Sequence, residues 1–306
     1  MDILFAGTPN SSARILEHLI KTPSISVKGV ITQPDKRGKR GKNLLESEVS
    51  KVANNAGLDV FKPNNLSGQD FIDQIKNFKV DYIIVVAYGK LIPKWLLDLP
   101  QIMALNIHYS ILPKYRGASP IQTSLINGDK VTGVTFMKMT DGLDEGSILS
   151  THDLEILNDD NKITLEEKLT NLSIQHLAKT IIDTKEGKLS LEKQDINLAT
   201  YCKKIDKDDC ITDFNDKAVN IINKFRAFIE WPGLKFKFKN SLIKIHEISM
   251  SGEVSTDLPG TINKIDKSGL HINTKDRVVV ITYLQFPNKN KISSIDVFNS
   301  YASFFK

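Results

Sequence analysis

The amino-acid sequence predicts an α/β protein: a mostly parallel sheet with helices on both faces, followed by a small all-β domain. Three observations carry that expectation. Apolar strand-like runs alternate with amphipathic helical segments through the first two-thirds of the 306 residues, the pattern of a sheet built from βαβ units. Gly, Asn and Pro punctuate the segments where turns are needed. After Gln194 the texture switches to short alternating runs separated by Gly, Asn, Asp and Pro, as in small antiparallel barrels.

Each element follows from its local pattern. "DILFAG" reads as the first strand and "SARILEHLI" as a helix with Ile15, Leu16 and Leu19 on one side. "SVKGVIT" is a second strand, "VDYIIVVAYG" a long buried one, and "QIMALNIH" the next. "ESEVSKVANNAG" and "GQDFIDQIKNF" are helices near Gly or Asn stops. "GVTFMKM" and "GSILSTHDLEI" form strands joined by the turn "TDGLDEG", and a helix from about Thr164 to Lys185 closes the block. "YCKKIDKDDCITDF" is polar and reads as a connection, and "AVNIINKFRAF" as a helix. The runs "LKFKFK", "SLIKIHEI", "GTINKI", "GLHINT" and "RVVVITYLQF" supply a second, β-rich domain. The expected architecture is a Rossmann-like sheet domain over residues 1–194, a linker over 195–212 and a small OB-like β-barrel over 213–306.

Composition excludes several classes. Apolar content of 41% with 25% charged residues is that of a globular protein with ample core material. Cys202 and Cys210 cannot form a disulfide framework, and no CxxC or Cys/His cluster points to zinc. Two free thiols, no basic leader at the N-terminus and no apolar run near the roughly 20 residues of a membrane span predict a cytoplasmic protein. The net charge of +5 is unevenly spread along the sequence. Residues 1–200 hold 24 basic and 24 acidic side chains, whereas the remaining 17 and 12 follow after residue 200. A neutral block followed by a basic one is compatible with a polyanionic partner, or with a solvated basic surface.

Two nucleotide motifs fail. "AGTPNSSAR" after the first strand lacks the G-x-G-x-x-G spacing that admits a pyrophosphate, and Gln33-Pro34-Asp35 opens a loop where a ribose-binding acid would stand. "GKRGKN" lacks both the leading Gly spacing and the Ser/Thr of a P-loop.

"ALNIHYSILPKYRGASPIQ" is more informative. Asn106 and His108 lie two apart at the end of an apolar strand, so both point to one face. The carboxyl ends of strands are where open α/β sheets place ligands. "DGLDEG" adds Asp141, Asp144 and Glu145 in a turn whose carboxylates can reach an imidazole. An amide and an imidazole stabilise a developing oxyanion, and a carboxylate orients the imidazole or accepts a proton from an attacking amine. Without a metal or a nucleophilic Ser or Cys, that set suits acyl-type transfer to nitrogen.

Asn106-Ile107-His108, Ser110-Ile111-Leu112-Pro113 and Asp144 resemble the motif of the formyltransferases that use 10-formyltetrahydrofolate. "FAGTP", "TQPDKRGKRGK", "VVAYGKLIP", "LPKYRGASPIQ", "TGVTFMKMTDGLDEGSIL" and "FRAFIEWPG" resemble, in order, segments of the branch that acts on methionyl initiator tRNA. The resemblance spans about residues 3 to 235 and is looser in the C-terminal barrel. It implies that Asn106 and His108 bind and polarise the formyl carbonyl while Asp144 supports His108 and proton transfer. It implies folate contacts at Ser110, Ile111, Leu112 and Pro113 and at Tyr88 and Gly89. It assigns tRNA contacts to Lys36, Arg37, Lys39, Arg40 and Lys42, with Arg40 matching a family arginine, and extends them to Lys204 and Lys207. The implied co-substrate is 10-formyltetrahydrofolate, with no metal. The implied partner is methionyl initiator tRNA, bound by a monomer with no role for membrane or DNA. The alternatives are a folate-dependent formyltransferase acting on a sugar nucleotide or glycinamide ribonucleotide, and a non-catalytic RNA-binding protein. Three positions depart from the family pattern. Ile111 replaces Leu and Asp213-Phe214 replaces Asp-Trp. Tyr109 replaces a small residue, and a ring beside His108 is expected to bear on the shape of the formyl pocket.

Overall fold

The opening apolar run forms an interior strand in the computed structural model, which describes residues 1–37 and 44–306. Contacts divide the chain into two units. The first holds Met1–Pro120, Val131–Glu155 and Glu166–Lys203, and the second Ile121–Lys130, Ile156–Leu165 and Lys204–Lys306.

The sheet of the first unit uses β1 (Asp2–Gly7), β2 (Ser26–Ile31), β3 (Val60–Phe61), β4 (Tyr82–Val86), β5 (Met103–His108), β6 (Val131–Lys138) and β7 (Ile148–Glu155). Their spatial order is β7-β6-β5-β4-β1-β2-β3. The strands from β3 to β5 pair in parallel, and β6 and β7 add an antiparallel edge. The chain therefore winds outward from β1 through β2 and β3, then returns to β4 on the other side of β1. That reversal leaves a crevice at the carboxyl ends of β1 and β4, where ligands bind in folds of this kind.

Local chemistry closes the crevice tightly. The first helix, Asn10–Lys21, buries Ala13, Ile15, Leu16 and Leu19. Its Ser12 hydroxyl donates to the Val86 carbonyl at 2.7 Å, tying the helix start to the end of β4. Gly7 lies between them: a Cβ there would stand 2.7 Å from the Ser12 Cβ and 3.0 Å from the Val86 oxygen. The run read as a long strand through Gly89 stops at Val86. Ala87 (φ 45°) and Gly89 (φ 83°) take left-handed conformations that turn the chain out of the sheet. The Tyr88 carbonyl between them accepts from Thr8 Oγ1 (3.1 Å) and Gln33 Nε2 (3.0 Å). The ends of β1, β2 and β4 thus meet at one carbonyl. Asp35, beyond β2, pairs with Lys62 at 2.8 Å, as does Glu46 at 3.0 Å. Burial alone would lower the Lys62 ammonium, yet these two carboxylates raise it. Asp35 and Glu46 are thereby joined across the short ladder of Lys36–Arg37 with Leu44–Leu45.

On the other face, Tyr82 donates to the Ile181 carbonyl at 2.9 Å, and Leu169, Leu177 and Ile181 of helix Lys162–Lys185 are buried. Helix Pro120–Asn127 had no counterpart in the sequence reading, since its short polar pattern "PIQTSLIN" has little helical periodicity.

The second unit is antiparallel and β-rich. It holds β8 (Ile211–Thr212), β9 (Lys235–Phe238), β10 (Ser241–Val254), β11 (Ile262–Asp266), β12 (Gly269–Asn273), β13 (Arg277–Gln285) and β14 (Lys291–Ser293). The order is β8-β9-β10-β13-β12-β11, with β14 on β13. Only β8 and β9 run parallel. Helix Ala218–Ala227 contributes Ala218, Ile221 and Ala227 to the core, and Phe214 packs edge-on against Phe236 at 5.4 Å. No helix among the described residues is long and apolar enough to cross a membrane.

Gly7→Ala should destabilise the protein by about 1–3 kcal/mol, because the methyl overpacks a junction with no room to relax. A lowered urea midpoint checks this. Ala at Gly57, which has open space but a left-handed φ of 68°, should cost less, about 1–2 kcal/mol.

Candidate active site

Strand β5 delivers Asn106 and His108 to the end of the sheet beside β4. Asn106 pairs in register with Val85 and Met137, and His108 with Thr135. The period of two sends both side chains to one side. There they meet Asp144 from the turn between β6 and β7. Asn106 Nδ2 donates to Asp144 Oδ1 at 3.3 Å, and His108 Nδ1 lies 3.7 Å from Oδ2. Side-chain exposure is 6% for His108 and 16% for Asp144, so the group is largely withdrawn from water yet reachable. His108 Nε2 lies 2.9 Å from the Tyr115 carbonyl. A carbonyl only accepts, so Nε2 carries the proton and Nδ1 is the ring atom turned toward Asp144.

Asp144 is held from several directions. The Gly117 N–H donates to its Oδ2 at 2.8 Å. Its backbone is left-handed (φ 48°), a conformation that costs a non-glycine residue about 1 kcal/mol or more. Gln194 supports it: Nε2 donates to the carbonyls of Asp144 (2.9 Å) and Gly146 (2.7 Å). Gln194 is fixed in turn by Arg116, whose Nε and Nη2 both donate to Gln194 Oε1, at 3.0 and 2.8 Å. Arg116 is 2% exposed.

A two-residue ladder backs the site, pairing Arg116 with Tyr201 and Gly117 with Cys202. Gly117 (φ 123°) is required there, since a Cβ would stand 2.2 Å from the Cys202 oxygen. The Cys202 thiol donates to the Tyr115 carbonyl at 3.3 Å, behind the histidine.

The segment after His108 is stitched internally. Ser110 Oγ donates to the Lys114 carbonyl at 2.6 Å. Thr135 Oγ1 donates to the Ser110 carbonyl (2.7 Å) and accepts from the Leu112 N–H (3.1 Å). Ser110 and Leu112 are buried, while Ile111 and Pro113 keep partial exposure. Tyr88 places its ring in the core with Leu66, Phe71 and Ile75, and burial pushes its phenol up to about 12. At Tyr88 and Gly89 it is therefore the backbone that borders the crevice.

Tyr109 does not crowd His108. It follows the alternation of the strand to the opposite side, where its hydroxyl meets Thr170 Oγ1 at 3.0 Å and burial pushes the phenol up to about 12. The expected intrusion on the pocket fails for the same reason that Asn106 and His108 agree: adjacent residues in a strand face apart.

Of the residues expected on tRNA, Lys36, Lys204 and Lys207 are exposed. Arg37 belongs to the ladder with Leu44, and Lys39, Arg40 and Lys42 lie outside the described residues. Gln194 and Arg116 were missed by sequence reasoning. The "YRG" of "LPKYRGASPIQ" was the available signal, because a charged residue between a turn and a glycine needs a partner if buried. Among the described residues no group of three or more His, Cys, Asp or Glu side chains could hold a metal ion.

The comparisons agree along the whole length. Residues 1–181 match the formyl transferase family and residues 204–302 the formyl transferase C-terminal domain. A methionyl-tRNA formyltransferase of Caldicellulosiruptor saccharolyticus is 40% identical over 306 residues, covering 98% of this chain and 97% of its own. One from Legionella pneumophila is 35% identical over 300 residues, covering 98% and 95%. The crystal structure of WlaRD, a sugar 3N-formyl transferase in the presence of dTDP and 5-N-formyl-THF, shares the fold. Its TM-score is 0.68 at 22% identity, over 95% of this chain and 99% of that one. With both domains matched in order and relatives aligned nearly end to end, the chain belongs to the formyl transferase family.

Proposed function

We propose that this protein transfers the formyl group of 10-formyltetrahydrofolate to the α-amine of methionine carried on initiator tRNA, in the cytoplasm. The observation that carries this reading is the convergence of Asn106, His108 and Asp144 at the carboxyl end of β5. The choice of acceptor rests on relatives at 40% and 35% identity, both named for methionyl-tRNA, against 22% for the sugar enzyme.

The donor set fits a formyl-bearing folate. Asn106 has a second amide hydrogen beyond the one given to Asp144, and Ile111 and Pro113, in the segment that follows His108, offer partly exposed apolar surface. The folate supplies an electrophilic formyl carbon on nitrogen when bound. Asn106 Nδ2 then donates to the formyl oxygen as it gains charge. His108 Nδ1, bare while Nε2–H is held by Tyr115, accepts the proton that the amine sheds. Once protonated, Nδ1–H is a second donor toward that oxygen and returns the proton to the departing nitrogen. Asp144 keeps the imidazole aligned and balances its transient charge. Ser110, Leu112 and Pro113 hold the folate segment in place, with Tyr88 and Gly89 bordering it.

The reading further takes residues 1–194 as the catalytic domain, 195–212 as the linker and 213–306 as the tRNA-binding domain of a monomer. Lys36, Arg37, Lys39, Arg40 and Lys42 contact the acceptor end, and Lys204 and Lys207 the adjoining backbone.

The direct test is formylation of charged initiator tRNA with a folate donor; turnover of a sugar nucleotide amine in its place would favour the other acceptor. Asn106→Ala should lower kcat by roughly 10²- to 10³-fold with folding intact. Gln194→Met should lower kcat more than it raises KM, because it frees Asp144 without touching either substrate. It should also cost about 1–3 kcal/mol of stability, since the buried Arg116 guanidinium loses the acceptor of its Nε and Nη2 and keeps a 3.5 Å contact of Nη1 to the Tyr201 hydroxyl. In Arg40→Leu, formylation should fall while folate affinity holds, and the salt dependence of tRNA binding should flatten by about 0.7–0.9 in log–log slope. Wild-type kcat/KM and slope in that variant would remove the loop from the account.

A further inference from the structure

The second unit carries an open cavity of about 380 Å³ lined by Phe286, Asn288, Lys289, Asn290, Ile292 and Tyr301. Its wall is an aromatic stack: the Phe286 and Tyr301 rings lie 4.9 Å apart and 27° from parallel. Lys289 Nζ stands over both, 5.7 Å and 5.3 Å from the centroids. Two more lysines repeat the arrangement nearby. Lys291 lies 4.1 Å over Tyr283, and Lys239 lies 5.6 Å over Phe238 and 5.3 Å over Phe304, a ring that packs edge-on to Phe286.

Lys239, Lys289 and Lys291 have no carboxylate within ion-pair distance among the described residues. Elsewhere in this unit a lysine is paired as expected, Lys264 with Glu253 at 2.7 Å. Three ammonium groups left without anions beside aromatic faces form a surface that lacks its counter-charge. The neighbouring Asn288 and Asn290 amides both donate and accept, as the edge of a base requires. π-faces, amides and cations without carboxylate partners together are the equipment for a nucleotide: a ring stacks on the aromatic face while a phosphate meets a lysine. An acidic peptide would use the cations but leave the stack and the amides idle.

Building on the tRNA reading above, we infer that this cavity binds one nucleotide of the tRNA, its base against Tyr301 and its phosphate on Lys289. Tyr301 is available for this because it is half-buried, held from behind by Phe286, which is 7% exposed.

The test measures binding of methionyl initiator tRNA to the full chain, without folate, across a salt series. Tyr301→Leu keeps the apolar packing and removes the π-face, so affinity should fall about tenfold with the salt slope unchanged. Lys289→Ala, on an exposed turn, should weaken binding and lower the log–log slope by about 0.7–0.9. Wild-type affinity and slope in both variants would overturn the assignment. So would losses seen toward poly-glutamate but not toward tRNA, which would make the cavity a peptide site. Because binding is read without the formyl donor, a wild-type protein that binds tRNA in this assay but fails to formylate it once the donor is supplied defeats the proposed activity and not the cavity.

Discussion

The active end of this protein depends on the carboxylate of Asp144 being held in a left-handed turn. Each of its oxygens has work: Oδ2 takes the Gly117 N–H and faces His108, and Oδ1 takes Asn106. The turn is unfavourable for an aspartate by itself. It persists because Gln194 captures carbonyls on both sides of Glu145, and Gln194 cannot swing away while Arg116 holds its oxygen at two points. The order of dependence runs from a buried guanidinium to an amide, to a loop, to a carboxylate, and last to Asn106 and His108. A charge buried against a neutral acceptor is a costly anchor. Its merit is geometric, because a planar fork on one oxygen fixes orientation as well as distance.

The sheet sets the other half of the geometry. A parallel register of β1, β4 and β5 brings Ala6, Val85 and Asn106 to one level, with Gly7 and Val86 paired one residue further toward the carboxyl edge. Close approach of the first helix requires Gly7, and the chain leaves β4 through two left-handed residues rather than continuing as strand. The crevice is therefore shaped mostly by backbone. That explains how Tyr88 can stand where β4 ends at the crevice while its ring serves the core.

Much of this was legible in the sequence because it depends on short-range periodicity. Strand alternation placed Asn106 and His108 together, and the same rule, applied one residue further, predicts that Tyr109 faces away. Asp144 was visible as one of three acids in a turn; its left-handed φ and its contacts with the Gly117 N–H, Asn106 and His108 distinguish it from Asp141 and Glu145. The pairing of Gln194 with Arg116 was not legible, since it joins positions 78 residues apart and no pattern around Gln194 marks it as the partner of the buried arginine. The division of the chain was hidden for a similar reason. Segments 121–130 and 156–165 pack with the C-terminal residues through contacts distant in sequence, such as Arg226 donating to the carbonyls of Asp160 and Leu157.

That division also changes what the charge means. Counted along the sequence, the whole +5 excess follows residue 200. Counted by packed units, the first carries +2 and the second +3, because Lys203 packs with the first while the second gains Asp129, Asp159 and Asp160 against Lys130 and Lys162. Net charge therefore separates the two units only weakly, and long-range attraction would draw a polyanion to either. Discrimination must come from where cations lack carboxylate partners. Lys62 is bound to two carboxylates and cannot serve a phosphate without giving them up. Lys239, Lys289 and Lys291 face aromatic rings, so a phosphate gains contacts there and breaks no ion pair. The local state of each lysine, rather than the sum over a domain, decides which surface a nucleic acid prefers.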